Sequence, residues 1–432
     1  MADDKNSKKD SGDDSPKKGK DAPKKPAPEK DDFDDNIRLG SAADSVVKIG
    51  GGVGAVALLA CLGLGFTGDT KRFLVSYLTA YAWMLSIAIG ALWWVTLQHL
   101  VNAKWSIVVR RVGELLAQNM PLMAILALPI LVPTAMGNDA LYVWVNHETV
   151  KADHLLEHKE PYLNVTFFLV RCVVYFGFWV LLSQFFFKTS LAQDQSANPE
   201  AQRSKMKTVS APSMIFLALT LTFAAIDLLM TLEPAWFSTI FGVYFFAGAV
   251  VSFHSLFALV LMWLQKRGAL KKSVTTEHYH DIGKMMFAFT VFWAYIAFSQ
   301  FMLIWYANVP EETFWYKLRF TGDWKGVSAA LLIGNFVLPF FGLLSRHIKR
   351  NKKTLGFWAV WILVVHYMDI YWLVKPVLHQ DTLPLGDILL DVTALVGVAG
   401  LFLASAAMQA KKVRLVPIKD PRLPKSLAFE NF

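Results

Sequence analysis

Apolar positions come in ten long blocks separated by shorter polar stretches. The blocks run over 46–66, 73–99, 113–133, 163–187, 209–232, 236–264, 284–307, 324–344, 354–374 and 387–409. Each reaches about 20 residues or more, the length a helix needs to cross the hydrocarbon core of a bilayer. Short segments of alternating apolar and polar positions are missing, so a closed barrel is excluded and the pattern predicts an all-α polytopic membrane protein with ten transmembrane helices. The first block is rich in glycine (Gly50, Gly51, Gly52, Gly54), which lets helices approach closely in lipid. Pro121, Pro129 and Pro133 predict bends in the third span, and Pro339 a bend in the eighth. An even number of helices permits two four-helix bundles, spans 2–5 and 6–9, between flanking spans 1 and 10.

Composition agrees with this pattern: 54% of residues are hydrophobic and only 18% charged, more apolar than an ordinary soluble domain. The formal charge of +9 invites a nucleic-acid reading, but topology explains it. The even-numbered loops and the C-terminal tail carry 23 lysines and arginines, the odd-numbered loops 8. The positive-inside rule therefore predicts that both termini are cytoplasmic. Residues 1–44, dominated by Lys, Asp, Pro, Ser and Gly, predict a disordered mixed-charge tail with little to bury. No apolar core with a cleavage site makes this a signal peptide. Residues 45–410 form the membrane domain and 411–432 a basic cytoplasmic tail.

Two loops attract notice. The loop 134–162 carries His147, His154 and His158 among acids; the i, i+4 histidine pair is read as the polar side of a surface helix rather than a metal site. The loop 308–323 holds Glu311, Glu312, Trp315 and Tyr316, which read as an interfacial anchor. Cys61 and Cys172, the only cysteines, both fall inside spans and supply neither an iron–sulfur set nor a haem attachment.

Chemistry is sought where charge is expensive. An ionisable side chain at the centre of a span costs roughly 2.5–3.5 kcal/mol on insertion scales. The candidates are Arg171, Asp227, His254, His366, Asp369 and Asp391, with Glu114 and Glu233 nearer the interfaces. His366 and Asp369, three apart, share a helix face and form a candidate proton relay. The competing expectation is a buried ion-pair set, Arg171 with Asp227 or Asp369, that only fixes helix register. Tyr295, Gln300 and Asn335 read as milder packing positions. Only His254 and His366 lie well inside spans, at unmatched depths, so no haem is expected on this chain.

Three segments carry a family resemblance: AAIDLLMTLEPAWFSTIFGVYFFAGAVVSFHSL (224–256), FTVFWAYIAFSQFMLIWYANVPEETFWY (289–316) and HYMDIYWLVKP (366–376). Together they resemble the ActF-type integral membrane subunit of bacterial alternative complex III, a quinol:cytochrome c or electron-acceptor oxidoreductase, within the wider NrfD/polysulfide-reductase group. The resemblance covers about 45–410. It implies ten helices in two four-helix bundles and a multi-pass place in the bacterial cytoplasmic membrane. It also implies a sister NrfD-like membrane subunit, multihaem cytochrome c subunits and an iron–sulfur/molybdopterin-like extracytoplasmic subunit as partners. Menaquinol or ubiquinol is then the substrate of the complex, with haem c and iron–sulfur clusters on partners and no cofactor on this chain. By motif, Asp227, Glu233, His254 and Asp369 are carried over; Arg171, His366 and Asp391 rest on the cost of charge in lipid. The expected function is support of quinol oxidation with proton conduction through buried Asp, Glu and His residues. A secondary transporter and a purely structural scaffold are the rivals.

Overall fold

The computed structural model describes residues 35–378 and 381–431. Among them there is no strand, and ten helices are long and apolar enough to span a membrane. We label them α1 (Ala42–Gly65), α2 (Thr70–Leu100), α3 (Ile107–Ala135), α4 (Val165–Gln193), α5 (Pro199–Leu232), α6 (Phe241–Lys266), α7 (Thr276–Ala307), α8 (Trp324–Leu344), α9 (Lys352–Val377) and α10 (Leu385–Ala410). The end of the molecule that carries residues 35–41 and 411–431 is called the tail end, and the opposite one the far end.

Several helices start earlier than hydropathy alone predicts. α3, α5 and α7 begin at Ile107, Pro199 and Thr276; in α5 and α7 a polar first turn continues from a side-chain cap. Asn198 accepts from Ala201 N at 3.1 Å, and Thr275 forms a capping box with His278. The prolines act as expected. α3 restarts at Met120–Pro121 and again at Leu128–Pro129, where the ring removes a backbone donor. α8 passes through a π-helical turn, Leu332–Val337, just before Leu338–Pro339.

α2 is the axis of the molecule. It is buried almost end to end and touches α3, α5, α6, α9 and α10. With apolar residues on every side, it can pack against a neighbour on each face. α4 packs on α3 and α5, while α7 and α9 pack on α6. α1 lies on α10 with most of its surface outward. The glycines of the first block explain that contact: a Cβ on Gly54 would stand 2.8 Å from Leu401 N, so only glycine lets the two backbones meet.

Both tails pack against the membrane domain wherever they are described. Residues 1–34 lie outside the described residues. From Asp35 onward, however, the predicted disordered tail is fastened to the tail end. The Asp35 carboxylate accepts from Lys272 N, Ser273 N and Ser273 Oγ, each at 2.8 Å. Leu270 N donates to Asn36 O and Leu415 N to Ile37 O. The C-terminal segment is likewise packed, with Leu415, Val416 and Ser426 buried. Buried backbone groups need partners, and these segments supply them for the loops beneath.

Candidate functional site

Several groups of buried polar side chains stand out, and four of them meet stations along α2. Measured by helix rise from Ser76, the stations on α2 stand about 15 Å (Ser86), 27 Å (Trp94) and 35 Å (His99) along the axis.

At the far end, Ser76 meets Lys375. The Lys375 ammonium is wholly buried at the C-terminal end of α9. It donates to Ser76 Oγ at 2.7 Å and pairs with Asp391 at 2.7 Å and Asp387 at 3.5 Å. Arg72 completes the set on Asp387 at 2.6 Å. Asp391 therefore has a partner that sequence reasoning placed in a loop. The signal was present: Lys375 directly precedes Pro376 in an aromatic run, an odd place for a solvated lysine.

In the middle, Ser86 meets His366, and here the predicted i, i+3 pair is realised. Ser86 Oγ lies 2.7 Å from Trp83 O, to which it donates, and on that ground we assign the His366 ring proton to Nε2, 2.8 Å from Ser86 Oγ. Nδ1 is then the bare nitrogen. It faces Asp369 Oδ2 at 3.8 Å and makes no hydrogen bond among the described residues. Asp369 is already held: Tyr244 OH donates to Oδ1 in a short contact, and Trp293 Nε1 donates to Oδ2 at 3.1 Å. A Cβ on Gly248 would stand 2.7 Å from His366 Cε1, so that glycine makes room for the imidazole. The cluster thus has an open seat for one proton, on Nδ1, opposite a fixed carboxylate.

Behind Tyr244 and Trp293 lies a cavity of about 780 Å³ between α7, α8 and α9. The helix Pro310–Arg319 forms its roof. Trp315 and Tyr316, expected to anchor that loop at the interface, point inward instead and are buried. Trp315 stacks on Trp236 at 4.4 Å, and Arg319 packs over Trp315 at 3.5 Å. Arg319 donates to Trp372 O and Leu373 O, the open carbonyls at the end of α9. Burial pushes its guanidinium down to about 9, with Glu233, Tyr316 and Tyr244 pulling it back up; the carbonyls keep it cationic at neutral pH. Glu233 sits in the turn after α5, where burial raises its carboxyl and Arg319 and Lys71 oppose that rise.

Towards the tail end, His254 lies alone among Trp94, Phe253 and Phe289. Its Nδ1–H donates to Val250 O at 2.7 Å, and Nε2 has no hydrogen-bond partner among the described residues. At the tail end itself, Glu114 is enclosed by Arg110 at 3.2 Å, Arg111 at 3.3 Å and His99 at 3.8 Å. Sequence reasoning missed His99 and both arginines because they lay at or beyond predicted span ends. The C-terminal segment closes this station: Arg110 pairs with Asp420 at 2.9 Å, and Arg422 joins Asp420 at 2.9 Å and Asn102 at 2.5 Å.

Burial would raise the Asp420 carboxyl, but Arg110 and Arg422 together hold it well below its ordinary 3.8. A depressed carboxyl stabilises the fold above its unfolded value and loses that contribution as pH falls through the folded one. Protection against hydrogen exchange across 415–431, relative to the intrinsic rate at each pH, is therefore expected to be high at pH 7 and to fall on strong acidification. Asp420→Asn should lower it roughly tenfold or more already at pH 7, the usual scale for a charge-assisted hydrogen bond. Unchanged exchange in that variant would show that packing alone holds the segment.

A further group stands apart from α2. Arg171 donates Nε and Nη2 to the two oxygens of Asp227 at 2.8 and 2.9 Å, joining α4 to α5. Tyr175 OH adds a bond of 2.7 Å, and Arg171 Nη1 reaches Tyr162 O at 2.9 Å. Both carboxylate oxygens and three guanidinium N–H groups are bonded there, while the neighbouring Tyr162 hydroxyl has no hydrogen-bond partner among the described residues. Of the alternatives for Arg171, the partner is Asp227 and not Asp369. No protein-family model matches this chain, and no curated protein matches it either.

Proposed function

We propose that this chain is a membrane-integral subunit of a respiratory quinol:electron-acceptor (cytochrome c) oxidoreductase of the alternative complex III type. In this reading it sits in a bacterial cytoplasmic membrane with both termini inside. It works beside a sister NrfD-like subunit, multihaem cytochrome c subunits and an iron–sulfur subunit, carrying no redox centre of its own. Its part is to move protons while the partners move electrons. The observation that carries this is the His366–Asp369–Tyr244 cluster, with a bare Nδ1 opposite a fixed carboxylate inside the bundle. Protonation at Nδ1 makes an imidazolium beside Asp369, and loss of that proton restores the resting pair. The stations on α2 lie too far apart for direct hydrogen bonds, so transfer between them needs water. Grouping of spans 2–5 and 6–9 into two bundles belongs to the same reading and is supported by the packing of α4 on α3 and α5 and of α7 and α9 on α6.

Recovery of the chain in mild detergent, with haem staining and a quinol:cytochrome c assay, tests the assembly. Haem-bearing partners with quinol-dependent activity are expected; a lone, colourless, intact chain would sink the reading. Asp369→Asn should then slow proton-coupled turnover about a hundredfold, the lower end for removal of a proton-transfer group, or lower the protons moved per electron. If Asp369→Asn and His366→Ala both left the two quantities unchanged, the cluster would not be a relay.

The bidentate Arg171–Asp227 pair favours a second role in the same chain, that of a scaffold, because two short charge-assisted bonds tie α4 to α5.

A further inference from the structure

We infer that the groove between α6 and α10 at the tail end seats an acyl chain of an anionic glycerophospholipid, with Arg267 and Lys412 taking its phosphate. The inference rests on the ten spans crossing a bilayer and not on the respiratory reading. It concerns binding alone.

α6 and α10 each pack on α3, and the wedge between them holds a cavity of about 260 Å³. Val112, Leu115 and Leu116 of α3 form its floor. Its walls are aliphatic except for Trp263, and no polar or charged side chain lines it. Such a space offers water no partner and a polar ligand nothing to bond; hydrocarbon is what suits it. On α10 it runs from Leu403 to Ala410, about 10 Å by helix rise, so it takes the upper part of one chain. Leu259, Val260, Leu403 and Ala406 on its walls are only half-buried, which opens it sideways to lipid. Leu39 and Leu415 close it at the tail end, on two segments joined by Leu415 N donating to Ile37 O at 2.7 Å. An occupant therefore enters from the side and stops beneath that roof.

The charge around the roof selects the headgroup. Segments 35–48, 266–272 and 411–415 carry nine lysines and arginines against two acids. Both acids are engaged, Asp35 by the backbone of Lys272 and Ser273 and Asp44 by Lys411. Arg267 packs over the groove residue Trp263, 5.6 Å from the ring centre, and Lys412 stands two residues beyond the groove residue Ala410. Both cations are exposed, and neither has an ion-pair partner among the described residues. Cations at the C-terminal ends of α6 and α10 also offset the helix dipoles. That accounts for their sign, but not for a dry, side-opening groove directly beneath them. Basic residues above a pocket between spans are the setting in which acidic lipid headgroups bind. A zwitterionic lipid would bring its own ammonium among these cations. A partner's transmembrane helix, about 10 Å across, would have to pass Leu39 and Leu415 to leave the tail end.

The probe is palmitoyl-oleoyl phosphatidylglycerol, titrated into the full-length chain, with whatever partners accompany it, in a delipidating non-ionic detergent. Phosphatidylcholine with the same chains is the control, and native mass spectrometry counts the lipids retained. One phosphatidylglycerol per chain is expected, held about tenfold more tightly than the phosphatidylcholine. Arg267→Gln with Lys412→Gln should bring the two lipids to within about twofold of each other. Ala406→Trp, which fills the groove, should abolish retention of either. Helical circular dichroism and a single elution peak certify each variant, and if one fails to fold the other decides. Equal retention of the two lipids by the unaltered chain, phosphatidylglycerol retention untouched by either variant, or displacement by glycerol phosphate at equal concentration would each overturn the assignment. So would loss of a partner subunit from the Ala406→Trp chain with phosphatidylglycerol still bound, which would give the groove to a protein helix. Quinol-dependent activity has no bearing on these outcomes, so failure here and failure of the respiratory reading are told apart.

Discussion

Asp227→Leu is expected to destabilise the protein by roughly 3–5 kcal/mol, and Arg171→Met by a similar amount, because each leaves an uncompensated charge out of water. Asp227 is wholly buried and its two oxygens take both Arg171 bonds and the Tyr175 hydroxyl. Without Arg171 the carboxylate keeps Tyr175 alone. Without Asp227 the guanidinium keeps one carbonyl and the faces of Tyr162 and Phe167, 3.9 and 4.4 Å away. The double variant Arg171→Met, Asp227→Leu removes the charge problem altogether and should recover most of the loss, since an apolar pair of similar volume often serves as well. Thermal unfolding of the detergent-solubilised chain, with monodispersity as a second reading, measures all three. If the double variant were as unstable as the two losses added, the pair would not be one coupled unit. Retained quinol-dependent turnover in a stable double variant would assign this pair to the scaffold and leave proton work to the α2 stations.

The number and order of the helices were legible in the sequence because a bilayer turns hydropathy into length. Backbone hydrogen bonds cannot be left open in lipid, so a block of about 20 apolar residues has one solution. The costly residues were legible for the same reason. His366 and Asp369 met as their spacing predicts, and Asp227 found Arg171. What hydropathy could not supply was the partner of each charge. Lys375 and Arg319 were read as loop cations, yet both are wholly buried. A cation at the end of a helix is ambiguous in sequence: it is solvated, or it turns inward onto carbonyls and carboxylates, and only the fold decides. Trp315 and Tyr316 were misread similarly, since an aromatic pair near an interface looks alike whether it faces lipid or closes a cavity. Gln300 carried no signal beyond mild polarity; that its amide nitrogen has no hydrogen-bond partner among the described residues is visible only once its neighbours are in place.

The arrangement along α2 joins these pieces. One buried helix lends Ser76, Ser86, Trp94 and His99 to polar stations whose charged members come from α3, α6, α9 and α10. The far-end and middle stations and the His254 site combine side chains of helices distant in sequence, so assembling the bundle and building these stations are the same event. The tail-end station is tied by the C-terminal segment and the far-end station by Lys375, while the middle one keeps the open imidazole nitrogen. In the proposed reading, ends tied in this way would let charge pass the middle station without a shift of the helices.

Lys375→Met is expected to be the most damaging single change at the far end, costing about 3 kcal/mol or more. Lys375 stands against two carboxylates, 2.7 Å from Asp391 and 3.5 Å from Asp387, with no exposure of its own. With Arg72 the four charges balance. Removing the ammonium leaves Asp387 its Arg72 contact at 2.6 Å, but that arginine is partly exposed and already engaged. Asp391 then faces a second acid with no close cation, and one carboxyl must take up a proton or open the packing of α9 on α2. Lys375→Arg should not rescue, because a planar fork needs more room than a buried ammonium donating to Ser76. Asp391→Leu in the Lys375→Met background should recover most of the stability by restoring the balance of Asp387 with Arg72. Unfolding midpoints of the single, arginine and double variants check this. A double variant no more stable than Lys375→Met would mean that the lysine acts through its packing against Tyr371, 5.5 Å from the ring centre, and not through its charge.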